Sequence, residues 1–123
     1  MGYYTWYEFS TQNNKHKIGD IIEYMKEKER VNDWFYPFGY SLSKFASIEG
    51  HNDFDLQADD TTKWYEHDEE MLELSKQFPE TIFCLYGDGE ESTDMWYSYY
   101  KNGRMQHCPA RIEFDEYDES KLA

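Results

Sequence analysis

The sequence predicts an α+β fold in which two helices pack on one face of a mostly antiparallel sheet. Two stretches carry apolar residues at helical spacing, and several shorter stretches are rich in the aromatic and β-branched residues that favour strands. The 123 residues fit one domain with a core of its own. We therefore expect a single domain over residues 1–114, with the element order β-α-β-α-β-β-β, followed by an acidic tail over residues 115–123.

The first half of the chain predicts a strand, a helix and a second strand. Residues 3–9 are mostly aromatic and β-forming, which is typical of a strand. Residues 18–30 predict a helix, because four apolar side chains fall at i, i+3, i+4 and i+7. These are Ile18, Ile21, Ile22 and Met25. Residues 40–48 follow a turn that contains Pro and Gly, and we expect the second strand there.

The second half predicts another helix and three further strands. Residues 61–78 favour a helix with a threonine cap and one apolar stripe: Trp64, His67, Met71, Leu74 and Phe78. The three strands are expected over residues 81–86, 95–100 and 105–114. Between the last two, Asn102-Gly103 is a strong hairpin signal, since both turn residues need positive φ.

Acidic residues outnumber basic ones, 26 to 12, and the net charge is −14. The excess is uneven, because residues 1–50 carry a net charge of −1 and residues 51–123 carry −13. A surface of this kind repels nucleic acid and anionic membranes and attracts basic proteins. The alternative is that the charge serves solubility alone.

The cysteines and the N-terminus favour a cytoplasmic protein in a host cell. Cys84 and Cys108 are isolated from each other in the sequence, and neither belongs to a CxxC pair, which suits a reducing compartment. The first residues lack the basic and apolar regions of a signal peptide. No apolar run reaches the length of about 18 residues that a membrane span needs.

Residues 60–108 resemble a known family. The segment Lys63-Trp64-Tyr65 opens a helix that closes on Leu74-Ser75-Lys76-Gln77-Phe78-Pro79, and a strand, the acidic turn 87–91 and the Asn102-Gly103 hairpin follow. This pattern resembles the ferredoxin-like domain of Api92-like proteins from phages and mobile elements. The resemblance implies a ferredoxin-like sheet and a phage or plasmid origin, and it supplies no catalytic residues. Small acidic proteins of such origin resemble inhibitors of host defence, including anti-CRISPR proteins.

Three acidic segments are candidates for binding a partner. In the predicted second helix, four glutamates at i, i+3, i+4 and i+7 form a row opposite the apolar stripe, with a charge density comparable to that of DNA phosphates. The hairpin and the tail could extend this row. The candidate residues are Glu66, Glu69, Glu70, Glu73, Asp88, Glu90, Glu91, Asp94, Asp115, Glu116, Asp118 and Glu119. The expected partner is a basic host protein such as a nuclease or Cas effector. The alternative is that the glutamates form an ordinary solvated helix face with no binding role.

No cofactor, metal or catalytic site is expected. His51, Asp53 and Asp55 alternate as oxygen-rich metal ligands can, but the segment lacks the central Gly and later Glu of an EF-hand. The sequence contains none of the common nucleophile, phosphate-binding or zinc motifs. His107 and Cys108 are neighbours on a strand and should point to opposite faces. We expect a protein that is not an enzyme and that binds neither nucleic acid nor membrane.

The aromatic residues support a second hypothesis. Alternation along the strand at 95–100 places Trp96 and Tyr100 on one side and Tyr97 and Tyr99 on the other. Some tyrosines should therefore face outward, as cross-strand pairs or as interface anchors. In this alternative the protein is a non-catalytic phage accessory protein. It forms a homodimer or binds a protein partner through its Tyr-rich sheet, and its charge keeps it soluble.

Overall fold

The computed structural model of the chain describes residues 3–45 and 50–123 and shows an α+β fold. One antiparallel sheet has the strand order β2-β1-β3-β4-β5. Its strands are β1 (Thr5–Gln12), β2 (Asp55–Gln57), β3 (Ile82–Gly89), β4 (Met95–Lys101) and β5 (Arg104–Pro109). The described helices are α1 (Ile18–Asn32), α2 (Gly39–Lys44) and α3 (His67–Gln77), with 3₁₀ turns at Tyr36–Phe38 and Glu119–Lys121. The predicted α+β class is confirmed.

One face of the sheet forms the hydrophobic core against the helices. Along β1 every second residue from Thr5 to Thr11 is buried, as expected for a strand with one covered face. The predicted stripe of α1 is buried in full, and Met71 and Leu74 of α3 are completely enclosed. Burial of these apolar side chains is the main source of stability.

Gly87 on β3 shows how closely the core is packed. It pairs with Trp96 on β4, and a Cβ atom at position 87 would overlap the indole ring of Trp96. The absence of a side chain therefore lets the Trp96 ring lie flat across β3. There it stacks on His67 at the start of α3, with ring centroids 5.1 Å apart.

The opposite face of the sheet has no covering layer in the described part of the chain. Apart from Cys84, the side chains on this face are half-buried or exposed. Its aromatic residues are Trp6, Tyr86, Tyr97 and Tyr99. We call these four the open-face aromatics. Trp96 and Tyr100 lie on the helix side of β4, so the predicted alternation is confirmed.

The second strand predicted at 40–48 is wrong over its first part. Residues 39–44 form α2, and residues 46–49 lie outside the described residues. Pro37 occupies the first turn of the preceding 3₁₀ segment, where its missing N–H costs nothing. Phe38 and Leu42, four apart, are both buried, which is helical spacing. The actual β2 is a short edge strand further along the chain.

The start of α3, the end of β5 and the order of the elements also differ from the prediction. Helix α3 begins at His67 rather than 61 or 62, because Thr62 is extended and exchanges two backbone hydrogen bonds of 2.9 Å with Thr5. Strand β5 ends at Pro109 rather than at residue 114, and all of 109–123 is exposed. The element order β-α-α-β-α-β-β-β departs from the β-α-β-β-α-β order of a ferredoxin-like domain.

Candidate acidic binding site

Acidic residues from two distant segments meet where β1 begins and β3 ends. The hydroxyl of Tyr3 accepts a 2.9 Å hydrogen bond from the backbone N–H of Glu91, which ties the β3–β4 hairpin to the N-terminal segment. The Thr5–Thr62 bridge ties that segment to the chain leading into α3. We call this region the acidic end, and it comprises Asp88, Glu90, Glu91, Asp94, Glu66 and Glu69.

The acidic tail also leaves the sheet at this end. Pro109, the last residue of β5, pairs with Trp96 at the start of β4, and the Ala110 N–H donates to the Met95 carbonyl at 2.9 Å. The four predicted acids of the tail are exposed: Asp115, Glu116, Asp118 and Glu119. Asp118 accepts hydrogen bonds from the N–H and hydroxyl of Ser120, and these bonds lower its pKa.

The predicted row of four glutamates on α3 is broken in the structure. Glu66 and Glu69 are exposed as expected, and Glu73 forms a 3.0 Å ion pair with Lys76. Glu70 is only 5% exposed, so it is not part of an exposed row. Glu70 lies with Met71 on the buried side of α3, and not on the exposed side where the prediction placed it.

Glu70 is a buried carboxylate with neutral partners. Its Oε1 accepts a 2.7 Å hydrogen bond from the Phe35 N–H, and its Oε2 accepts a 3.1 Å bond from Trp64 Nε1. Burial raises the pKa of Glu70, and these two donors offset part of that shift. Glu70 belongs to none of the ion pairs found among the described residues. Hydrogen bonds from neutral donors, and no ion pair among the described residues, therefore stabilise its carboxylate.

The loop after α1 has an unusual backbone. Asp33 and Phe35 are both left-handed, with φ of 60° and 57°. The Asp33 N–H bonds to the Glu29 carbonyl and ends the helix, as in an αL cap, and the Trp34 N–H bonds to the Lys28 carbonyl. The hydrogen bond to Glu70 holds Phe35 in its strained conformation. As a result Phe35 enters the core, while the side chains on either side of it stay near the surface.

These side chains line a cavity of about 380 Å³ between the end of α1 and the start of α3. Its walls carry the rings of Trp34, Tyr36 and Tyr65 and the carboxylates of Asp33, Glu66 and Glu69, and Trp64 and Glu70 lie at its base. We call it the acidic pocket. Tyr36 is 37% exposed and Tyr65 is 70% exposed. The sequence prediction included three of its glutamates but missed Tyr65, which precedes them in the sequence, and Asp33, Trp34 and Tyr36, which the loop brings to α3.

Basic residues collect at the other end of the sheet. Ser75 near the end of α3 accepts a 2.9 Å hydrogen bond from the N–H of Gly103 in the β4–β5 turn. Lys101 and Arg104 flank that turn, and Lys76 lies against it. The acidic end has a basic neighbour in Lys63, whose Nζ lies 5.1 Å from the centre of the Tyr4 ring. Three basic residues therefore lie at the end of the sheet opposite the acidic end.

The histidines near α3 form a structural network. His67 contacts Asp68 at 3.0 Å, and the buried Tyr100 donates a 2.6 Å hydrogen bond to the same carboxylate. The His67 bond lowers the pKa of Asp68, and burial raises the pKa of Tyr100. Ser98, which meets His107 at 2.9 Å, is fully buried and out of reach of a substrate. The network fastens α3 to β4.

The cysteines are separated by a strand, and Asp53 has a structural role. Cys84 and Cys108 are both free thiols, on β3 and β5 with β4 between them. Asp53 accepts hydrogen bonds from the Thr11 hydroxyl and the Asn14 N–H and so fastens the loop after β1. Across residues 3–45 and 50–123, no three His, Cys, Asp or Glu side chains are grouped as a metal site requires.

No helix in the described ranges has the length and apolar character needed to cross a membrane. Neither a family model, nor a curated protein, nor a solved structure matches the chain. Its function is therefore inferred from the acidic end and the open sheet face.

Proposed function

We propose that this protein is a non-catalytic acidic binding protein of a phage or mobile element that inhibits a host nucleic-acid-binding defence protein, as anti-CRISPR proteins do. It does so by covering the basic surface of its target. The observation that carries the proposal is the convergence of the hairpin and the start of α3 at the acidic end. The phage origin and the ferredoxin-like relationship rest on the sequence resemblance alone.

The acidic end has the chemistry to compete for a surface that binds nucleic acid. Opposite charge steers association and suppresses wrong partners. Exposed aromatic residues beside the charges, such as Tyr65, supply the anchors that dominate the energy of protein interfaces. Because Lys76, Lys101 and Arg104 lie at the other end of the sheet, a basic target is expected to approach the molecule from the acidic end.

A pull-down from host lysate tests this proposal. We expect the tagged protein to capture a basic nuclease or Cas protein, and the capture to fall when salt is raised from roughly 0.05 M to 0.5 M, because added salt screens exposed charges. The triple variant Glu66→Gln, Glu69→Gln, Glu90→Gln should weaken binding by roughly tenfold or more.

A matched variant separates local charge from net charge. Asp20→Asn, Asp55→Asn, Glu80→Gln removes the same three charges from exposed positions outside the acidic end. We expect this control to keep most of the binding. Equal losses in the two triple variants, or capture of no basic protein, would contradict the proposal.

The open-face aromatics favour a second candidate function, self-association or protein binding through the sheet. Their rings form a continuous ladder, with centroids 6.2 Å apart for Trp6–Tyr86, 6.3 Å for Tyr86–Tyr97 and 5.2 Å for Tyr97–Tyr99. Uncovered aromatic ladders of this kind are typical of interfaces.

Light scattering across a concentration series tests this candidate. If the ladder is a self-association surface, the protein is a dimer at about 50 µM, a concentration chosen because most specific dimers form well below it. The variant Tyr97→Ser, Tyr99→Ser should then be a monomer. A wild-type protein that is monomeric throughout, with partner capture unaffected by the two substitutions, would eliminate this candidate.

A further inference from the structure

We propose that the acidic pocket receives the guanidinium group of an arginine from a partner protein. The inference rests on the proposed function, since it names the chemical group that the acidic end recognises on its basic target. It makes the pocket the centre of the interface and the hairpin acids its periphery.

The first step of the argument is the imbalance of charge around the cavity. Asp33, Glu66 and Glu69 line its walls, and Glu70 closes its base at 5% exposure. No basic side chain is among the lining residues, and none of these carboxylates takes part in an ion pair within residues 3–45 and 50–123. Asp33, Glu66 and Glu69 are exposed, and Glu70 is the buried carboxylate, with hydrogen bonds to neutral donors only. An entering cation would therefore supply a counter-charge that the lining residues do not provide.

The second step is the aromatic wall. Tyr36 and Tyr65 are exposed and Trp34 is half-buried, so these three rings are accessible to an entering side chain, while the enclosed Trp64 lies behind them. Aromatic faces attract cations, and a site that combines rings with carboxylates is selective for them over neutral groups. Lys28 already shows this chemistry on the chain itself, with its Nζ 5.0 Å from the centre of the Trp34 ring.

The third step is the choice of arginine over lysine. A guanidinium is planar, so it can stack on a tyrosine or tryptophan ring while its N–H groups reach two carboxylates at once. The pocket has both aromatic rings on which a guanidinium can stack and carboxylates that can accept its N–H groups. Its volume of about 380 Å³ suits one long side chain and lies at the small end of the range for ligand sites.

Chemical shifts of the indole N–H groups provide a direct test. Trp34 and Trp64 line the pocket, and the N–H of Trp64 is bonded to Glu70, so both signals report on its contents. The protein is titrated with arginine blocked at both ends, with equally blocked lysine, and with blocked citrulline, which has the shape of arginine without its charge. We expect saturable shifts with arginine at about 1–10 mM, as befits a single side chain, weaker shifts with lysine and none with citrulline.

Two variants with the same loss of charge sharpen the result. Glu66→Gln, Glu69→Gln should weaken arginine binding by about tenfold, whereas Glu90→Gln, Glu91→Gln on the hairpin should leave it unchanged. Both pairs are exposed, so the fold is expected to persist. Equal shifts from citrulline and arginine, or equal affinity for lysine and arginine, would overturn the proposal.

The outcomes also separate this inference from the proposed function. If arginine leaves both indole signals unmoved while a basic partner is still captured at the acidic end, the pocket proposal fails and the proposed function stands. If arginine binds as expected but no basic protein is captured, the pocket proposal stands and the proposed function fails.

Discussion

Replacing Glu70 with alanine is expected to lower the free energy of unfolding by about 2–4 kcal/mol. The substitution removes the side chain that accepts hydrogen bonds from the Phe35 N–H and Trp64 Nε1, so both donors lose this partner in the interior. It also removes the bond that holds Phe35 in its left-handed conformation. Urea denaturation followed by circular dichroism measures the change. The matched variant Glu69→Ala removes an exposed carboxylate on the same helix and should change stability by less than about 0.5 kcal/mol.

The pH dependence gives this prediction a second, independent readout. Because the pKa of Glu70 in the folded protein is raised above its ordinary value of 4.5, the folded state holds the proton more tightly than the unfolded state does. The stability contributed by this proton is present below pH 4.5 and is lost as the pH rises through the folded pKa. The difference in the free energy of unfolding between wild type and Glu70→Ala should therefore become smaller from pH 4.5 to pH 7. A gap that widens over this range, or a loss no larger than that of Glu69→Ala, would contradict the role assigned to Glu70.

Glu70 also shows where sequence reasoning about α3 reached its limit. Acids at i, i+3, i+4 and i+7 define a helix face, but a helix face is exposed only if nothing else packs on it. The loop after α1, which is some thirty residues away in sequence, delivers Phe35 to that face. Trp64 comes from an extended segment rather than from the helix. Neither placement can be read from the period of the sequence.

Local chemistry was sufficient for the hairpin at the end of the chain. Asn102 and Gly103 have the positive φ values of 47° and 77° that this dipeptide favours, and β4 and β5 pair on either side of them. The alternation of rings along β4 followed from the two-residue period of a strand. By contrast, the segment around α2 combined Pro, Gly and a spacing of three between Leu42 and Phe45. Burial of Phe38 and Leu42 against the sheet, a tertiary effect, decided for a helix there.

The acidic pocket depends on the same tertiary contacts. One wall comes from residues 32–36 and the other from residues 64–70. The shape of the loop depends on Asp33 and Phe35, which have positive φ although neither is a glycine, the residue that usually marks this conformation in a sequence. A site of this kind becomes visible only when the loop is placed against α3. The hairpin acids, which lie on one turn, could be assigned to a common surface from sequence alone.

Replacing Trp64 with alanine should lower the free energy of unfolding by about 3–5 kcal/mol, which is more than the loss expected for Glu70→Ala. The indole is 2% exposed, and its nearest ring centroids are those of Tyr7 at 5.2 Å and Phe38 at 5.7 Å, so truncation leaves a cavity that these rigid neighbours cannot fill. Trp64→Phe keeps one ring but removes the N–H donor to Glu70, and it should cost less, about 1–2 kcal/mol.

Combining the Trp64→Phe and Glu70→Ala changes separates packing from hydrogen bonding in this region. Once Glu70 is absent, the N–H of Trp64 has no acceptor to lose, so Trp64→Phe should cost less in that background than in the wild type. Urea denaturation of the four proteins in the cycle measures this coupling. If Trp64→Ala cost no more than Trp64→Phe, or if the two changes added without coupling, Trp64 would not be the link that joins the core to the base of the acidic pocket. Strong coupling would mean that the hydrogen bond from Trp64 to Glu70 at the base of the acidic pocket contributes to the stability of the fold.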